Sequence, residues 1–235
     1  MIFFSLAEFI FVAFFLIAPP LFNAPKNEIL VLDFSKGYSF STYAVFLVSV
    51  FIFAERSFSD KKNNKTGDLI TKKSSLIEKT SVGTVCLGTI FIVSAFFQLS
   101  ALLENKNSFN SQKIIFPENF FYFINFLFGT LFAAFSEEVI YRFYLPFALK
   151  ENVKNLSREK LNSEKSKTLN LFFEFLSACV FALSHRYLGI LAVLNAFFSG
   201  LVLRFCMIKS KSVFVPFFIH SLYNFSVFIF VKFIG

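Results

Sequence analysis

The stretch FAAFSEEVIYRFYLP, residues 132–146, sets two adjacent carboxylates, Glu137 and Glu138, and a guanidinium, Arg142, inside an otherwise apolar run. An ionisable side chain at membrane depth costs about 2.5–3.5 kcal/mol on insertion scales, so each needs a partner or a task. Glu138 and Arg142 stand at i,i+4 with the acid first, the favourable order for a helical ion pair. That pairing neutralises both without any catalysis. Glu137 lies about 100° round the helix and has no such partner. It must face a polar cavity or a donor from another segment. The chain holds only two histidines, and both fall in apolar segments. FALSH sets Phe181 and His185 one helical turn apart, and HSLYN does the same for His220 and Asn224. A lone histidine in a helix is usually a satisfied core residue. Two of them, with an unpaired glutamate and an asparagine, make a candidate site.

Such a set can hydrolyse a bond in two ways. Glu137 and His185 can hold and deprotonate a water while His220 and Asn224 donate to the developing oxyanion. Alternatively, Glu137, His185 and His220 can ligate a divalent metal such as Zn²⁺ with an open position for water. The ligand types suit zinc, although no HExxH motif supplies a prebuilt helical site. Serine chemistry is the weaker reading. Ser136 and Ser184 adjoin the key residues, but the chain has no GxSxG elbow.

The elements that must position these residues are membrane spans. Apolar residues make up 56% of 235, with a mean hydropathy of +0.65, which fits a polytopic membrane protein better than a soluble domain. Seven apolar stretches approach the roughly 20 residues a helical span needs. They lie at 2–22, 38–54, 82–103, 119–147, 169–187, 189–207 and 213–233. The expected fold is all-α, a polytopic bundle of about seven transmembrane helices in one domain over 1–235. The fourth stretch is longer than a span requires, so it should tilt, kink or project. Pro19-Pro20 is expected to end the first, which reads as an uncleaved span because it lacks a basic n-region.

The connections carry the orientation signal. The runs 56–80 and 149–168 hold seven and six Lys/Arg, and the 208–212 turn adds Lys209 and Lys211, with Arg204 just before it. The alternate connections near 23–37 and 104–118 hold two each. This asymmetry predicts the amino terminus inside and the carboxyl terminus outside. It also accounts for the net charge of +8, so no nucleic-acid partner is expected. Cys86, Cys179 and Cys206 are scattered singly and read as small buried hydrophobes. Glu8, Gln98, Asn125 and Asn195 read as interhelical hydrogen-bonding residues, and Glu174 as a carboxylate reaching water at the inner end of its span. Ser199 and Gly200 suggest a close helix approach.

EEVIYR resembles an EExxxR motif, FALSH an FxxxH motif and HSLYN an HxxxN motif, in that order along 119–233. Together they resemble the CAAX prenyl protease and bacteriocin-processing (CPBP, or Abi) family of intramembrane endopeptidases, which includes the type II CAAX endoprotease. The first 118 residues are generic membrane helices beside this CPBP-like core. The resemblance implies Glu137 as base, His185 as its helper in activating water, and His220 with Asn224 as the oxyanion site. Glu138 and Arg142 become supporting residues. The resemblance favours glutamate-dependent chemistry over a metalloprotease. One departure is Phe143, where the family commonly has Gly after the motif arginine; it bears on substrate choice more than on chemistry.

The expectation is therefore an intramembrane endopeptidase acting on a membrane-associated protein or peptide, in a bilayer that small size and short loops assign to a bacterial cytoplasmic membrane. The alternative is a non-proteolytic bacteriocin-immunity or scaffold protein with a vestigial site. A small transporter using Glu137 and the histidines as a proton relay is a third reading. Simple spans place His185 and His220 roughly 10 Å apart in depth. A shared site therefore requires strong tilt, or a fifth helix that starts deeper in the polar run.

Overall fold

In hydrocarbon every backbone amide must be paired within its own segment, so the apolar runs fold as helices. The computed structural model describes residues 2–22, 30–63, 75–103, 112–156 and 163–233. Among these residues there are seven helices: α1 (2–22), α2 (Phe40–Asn63), α3 (Leu76–Leu103), α4 (120–156), α5 (Ser163–Ser184), α6 (Ile190–Ser210) and α7 (Phe214–Phe233). The fold is an all-α polytopic membrane fold, as the hydropathy indicates. Six of the helices are long and apolar enough to cross a bilayer. The apolar part of the first, Leu6–Phe22, is shorter. Its 17 residues span about 25 Å, less than the hydrocarbon core of about 30 Å. Nor does α1 stop at Pro19-Pro20. A π turn at Ala13–Ile17 sits just upstream, and the helix continues to Phe22.

Most helices run further into polar sequence than their apolar cores. α2 continues to Asn63, α3 starts at Leu76 and α5 starts at Ser163. Parts of the basic connections, residues 64–74 and 157–162, lie outside the described residues, as do 23–29 and 104–111. A two-stranded parallel ribbon, which hydropathy does not announce, joins β1 (Leu30–Asp33) to β2 (Gln112–Ile115). After β1, Asp33 accepts from the Ser35 amide at 2.8 Å. Gly37 then turns with φ 72°, in the left-handed region that favours glycine. The chain leaves this turn at Tyr38, whose amide donates to Asn125 Oδ1 at 2.6 Å.

α4 is the axis of the molecule. Asn119 caps it by accepting from the Phe121 amide at 2.9 Å. Its apolar part, Phe120–Val153, is 34 residues, or about 50 Å, well over a bilayer core. The excess is taken up by projection and by a π turn at Glu138–Tyr144. α2 and α7 flank α4, and α6 packs on α5 and α3. The tightest packing surrounds the π turn, where Val139 and Tyr144 are fully buried beside Ile140, Leu145 and Phe135. Lipid is as apolar as these side chains, so close contact rather than water exclusion holds them. Outward-facing Phe51, Phe96 and Phe121 are exposed, as expected where the solvent is hydrocarbon.

Candidate active site

The site is built where α4 changes its hydrogen-bonding register. Glu137 ends the α-helical part of α4 and Glu138 opens the π turn. Glu138 is completely buried. Its Oε1 accepts from His220 Nδ1 at 2.8 Å and lies 3.2 Å from Arg142 Nη1. The i,i+4 pair expected from the sequence is therefore present, and a histidine from α7 joins it. Arg142 is 3% exposed, with its guanidinium carbon 3.6 Å from the centre of the Phe181 ring. That stacking gives the buried cation a face to lie on. Gly200 makes room for it: a Cβ there would meet Phe181 Cδ1 at 3.1 Å and Arg142 Nη2 at 3.5 Å.

Glu137 differs from its neighbour. Its side chain is about one-third exposed, and its Oε2 lies 3.7 Å from His220 Nε2. That separation is too long for a hydrogen bond, so the carboxylate faces His220 while keeping an accessible oxygen. His220 thus stands between two carboxylates, one bonded at Nδ1 and one facing Nε2. The group from another segment that Glu137 faces is this ring.

His185 follows the last residue of α5 with φ −97° and ψ 7°, the bridge region common among active-site residues. Its Nδ1 lies 3.0 Å from the Phe181 carbonyl and 3.2 Å from Ser184 Oγ. Donation from Nδ1 to that carbonyl sets the tautomer and leaves Nε2 free as an acceptor. Glu137, His220 and Arg142 are all within electrostatic reach of this imidazole. The fifth helix begins deeper in the polar run than 169, one of the two arrangements a shared site requires. It starts at Ser163, six residues before 169, and ends at Ser184. A short turn over Arg186–Leu188 and Gly189, at φ 98° and ψ 170°, then reverses the chain into α6. A backbone with that φ and ψ is essentially open only to glycine.

Asn224 shares the His220 face of α7, one turn on, and is half-buried. It makes no hydrogen bond to the other site residues among the described residues. Ser136 and Ser184 both bond back to main-chain carbonyls, of Phe132 and Phe181, which leaves them in packing roles. Phe143 points away from this cluster and packs edge-on against Phe53 of α2. Glu174 does more than reach water: it forms a bidentate ion pair with Arg204. Asn195 bonds to Ser94 at 3.0 Å, and Glu8 pairs with Arg56 at 2.6 Å, as interhelical polar residues do.

Three tyrosines join the site that residue type alone does not single out. Tyr38, Tyr141 and Tyr187 all lie within electrostatic reach of Glu137. The Tyr38 hydroxyl is 3.4 Å from Thr130 Oγ1, two turns before Glu137 on α4. Tyr141 stands at i+4 from Glu137 within EEVIYR, and Tyr187 is two residues past His185, so both carried a positional signal. Tyr38 carried none, since only the ribbon and its turn bring it in.

Among the described residues, no three His, Cys, Asp or Glu side chains converge as a metal site. The Glu137, His185 and His220 set is therefore not drawn together as a ligand triad. What the arrangement offers as it stands is an accessible carboxylate that faces His220 and lies within electrostatic reach of His185, with the Nδ1 of each histidine occupied by another partner. That is suited to holding and deprotonating a water.

Residues 119–226 match the family model described as type II CAAX prenyl endopeptidase Rce1-like. Searches of curated proteins and of solved structures give no match. The matched span includes Glu137, Glu138, Arg142, His185, His220 and Asn224. The chain is an integral membrane protein whose residues 119–226 are similar to the Rce1-like family of type II CAAX prenyl endopeptidases.

Proposed function

We propose that this protein is an intramembrane endopeptidase that hydrolyses a peptide bond of a membrane-associated protein or peptide. The observation that carries the reading is the partly exposed Glu137 carboxylate facing His220 Nε2 at 3.7 Å, with Glu138 bonded to the other nitrogen of that ring. Glu137 is the base: it is the one carboxylate of the pair with an open oxygen, and it takes a proton from water as the water adds to the scissile carbonyl. His185 orients that water through Nε2, its Nδ1 being engaged by the Phe181 carbonyl. Glu138 and Arg142 fix the His220 ring. For His220 to donate to the oxyanion from Nε2, its ring must carry both protons, one of them given to Glu138. Asn224 is the second donor and reaches the oxyanion once a peptide occupies the space above His220. The proton held by Glu137 then passes to the leaving amine.

The amino terminus inside a bacterial cytoplasmic membrane completes the proposal. It sets the basic ends of α2, α4 and α5 on the cytoplasmic side. The test compares protein termini in membranes of cells expressing wild type or Glu137→Ala at equal levels. The reading requires termini that appear with wild type and vanish in the variant. Chelator in the same assay separates metal-dependent from glutamate-dependent cleavage.

A further inference from the structure

Two carbonyls of the π turn, those of Tyr141 and Arg142, accept from side chains of other helices. The N–H of residue 146 would serve the Arg142 carbonyl in an α-helix and the Tyr141 carbonyl in a π turn. Residue 146 is proline and has no N–H to give. The preceding N–H, of Leu145, is bonded to the Ile140 carbonyl, five residues back. A buried carbonyl left without a donor loses free energy comparable to a lost hydrogen bond.

Both carbonyls find donors on other helices. Ser177 Oγ of α5 donates to the Tyr141 carbonyl. Arg204 Nη1 of α6 donates to the Arg142 carbonyl at 2.6 Å. Arg204 is held in turn by Glu174 of α5, with Nε and Nη2 each 2.5 Å from a carboxylate oxygen. Ser177 is 3% exposed, and the Arg204 side chain 13%. A π turn adds one residue to the helical repeat, which rotates the residues after it by about 100° relative to those before it. Glu138 and Arg142 both lie within the turn, and Glu137 is the residue before it.

We infer that Ser177 and the Arg204–Glu174 pair are positioning residues: by capturing the Tyr141 and Arg142 carbonyls they lock the π register that aims Glu138 at His220 and sets Glu137 beside it. Calling those carboxylates reacting groups rests on the hydrolase reading above, whereas the register itself does not. Loss of either donor leaves a buried carbonyl unpaired and releases the turn, so that Glu138 swings off His220.

The presence of only two histidines makes this directly readable. Full-length protein labelled with ¹⁵N-histidine in nanodiscs gives two imidazole spin systems, assigned with His185→Gln. The wild-type His220 spectrum should show a protonated Nδ1 in a hydrogen bond to carboxylate. Ser177→Ala and Arg204→Met should lose that signature, and Ser177→Thr, which keeps the hydroxyl, should retain it. The rate of Glu137-dependent cleavage should fall on the order of 10- to 100-fold in Ser177→Ala and recover in Ser177→Thr, as expected for misplacement by about 1 Å. An unchanged His220 signal in folded Ser177→Ala and Arg204→Met overturns the inference, whatever the protein cleaves. A His220 signal that responds in a protein with no Glu137-dependent cleavage supports the positioning and removes the hydrolase reading instead.

Discussion

The two adjacent glutamates have opposite surroundings, and that difference decides which of them can react. Glu138 is sealed between a guanidinium and an imidazole, while its neighbour keeps an open oxygen. Removing one partner of a buried ion pair leaves an uncompensated charge, at a cost of about 3–5 kcal/mol. Arg142→Met should therefore lower the melting temperature in detergent sharply. Glu138→Gln combined with Arg142→Met should melt above Arg142→Met alone, because no unpaired carboxylate remains. Gly200 offers a finer probe. A methyl there presses on Phe181 at 3.1 Å and thus on the face that carries Arg142. Gly200→Ala should lower the rate of Glu137-dependent cleavage several-fold while shifting the melting temperature by only a few degrees. At this scale the sequence is informative. The Glu138–Arg142 spacing, the orphan status of Glu137 and the two histidines in apolar runs are all readable from residue type and position. The bridging place of His220 and the approach of Tyr38 are not, because each depends on how separate elements dock.

At the scale of elements, helix ends and register breaks decide the site. Pro146 withholds one N–H, and the helix answers with a π turn rather than a sharp kink. Pro146→Ala restores that donor and lets the main chain compete with Ser177 and Arg204 for the two carbonyls. It should leave the protein at least as stable as wild type, while Glu137-dependent cleavage falls tenfold or more. Thermal melting and the rate, measured on one preparation, check the two halves together. Gly189 is the second element-level device. Its φ of 98° and ψ of 170° reverse α5 into α6 directly after His185. Gly189→Ala forces a side chain into a glycine-only conformation at a cost of about 1–3 kcal/mol. It should displace His185, with a loss of rate exceeding that of an alanine placed on the outer face of α6. Apolar runs locate the spans but not their ends, since backbone hydrogen bonding continues past the point where hydrocarbon stops. Hence α5 starts at Ser163 rather than 169. The four-residue strands LVLD and QKII are too short and too mixed in character to stand out from a loop.

For the whole molecule, six candidate spans and a shorter amino-terminal helix surround a polar cluster that lipid cannot solvate. Under the proposed hydrolysis, α4, α7 and the end of α5 supply the reacting groups, and α6 braces α4 through Arg204. Orientation follows from the charge of the connections. A reporter fused after Gly235 should be active only on the outer side of the membrane, and substituting the Lys/Arg residues of 56–80 should weaken that preference. The most direct test of the proposed hydrolysis is the comparison of membrane-protein termini between cells making wild type and cells making Glu137→Ala at equal levels. Hydrolysis through Glu137 predicts termini that are present with wild type and missing with the variant, and equally missing with His185→Ala and His220→Ala. Identical termini in all four would contradict it and leave a membrane protein whose buried carboxylates serve only to hold its helices.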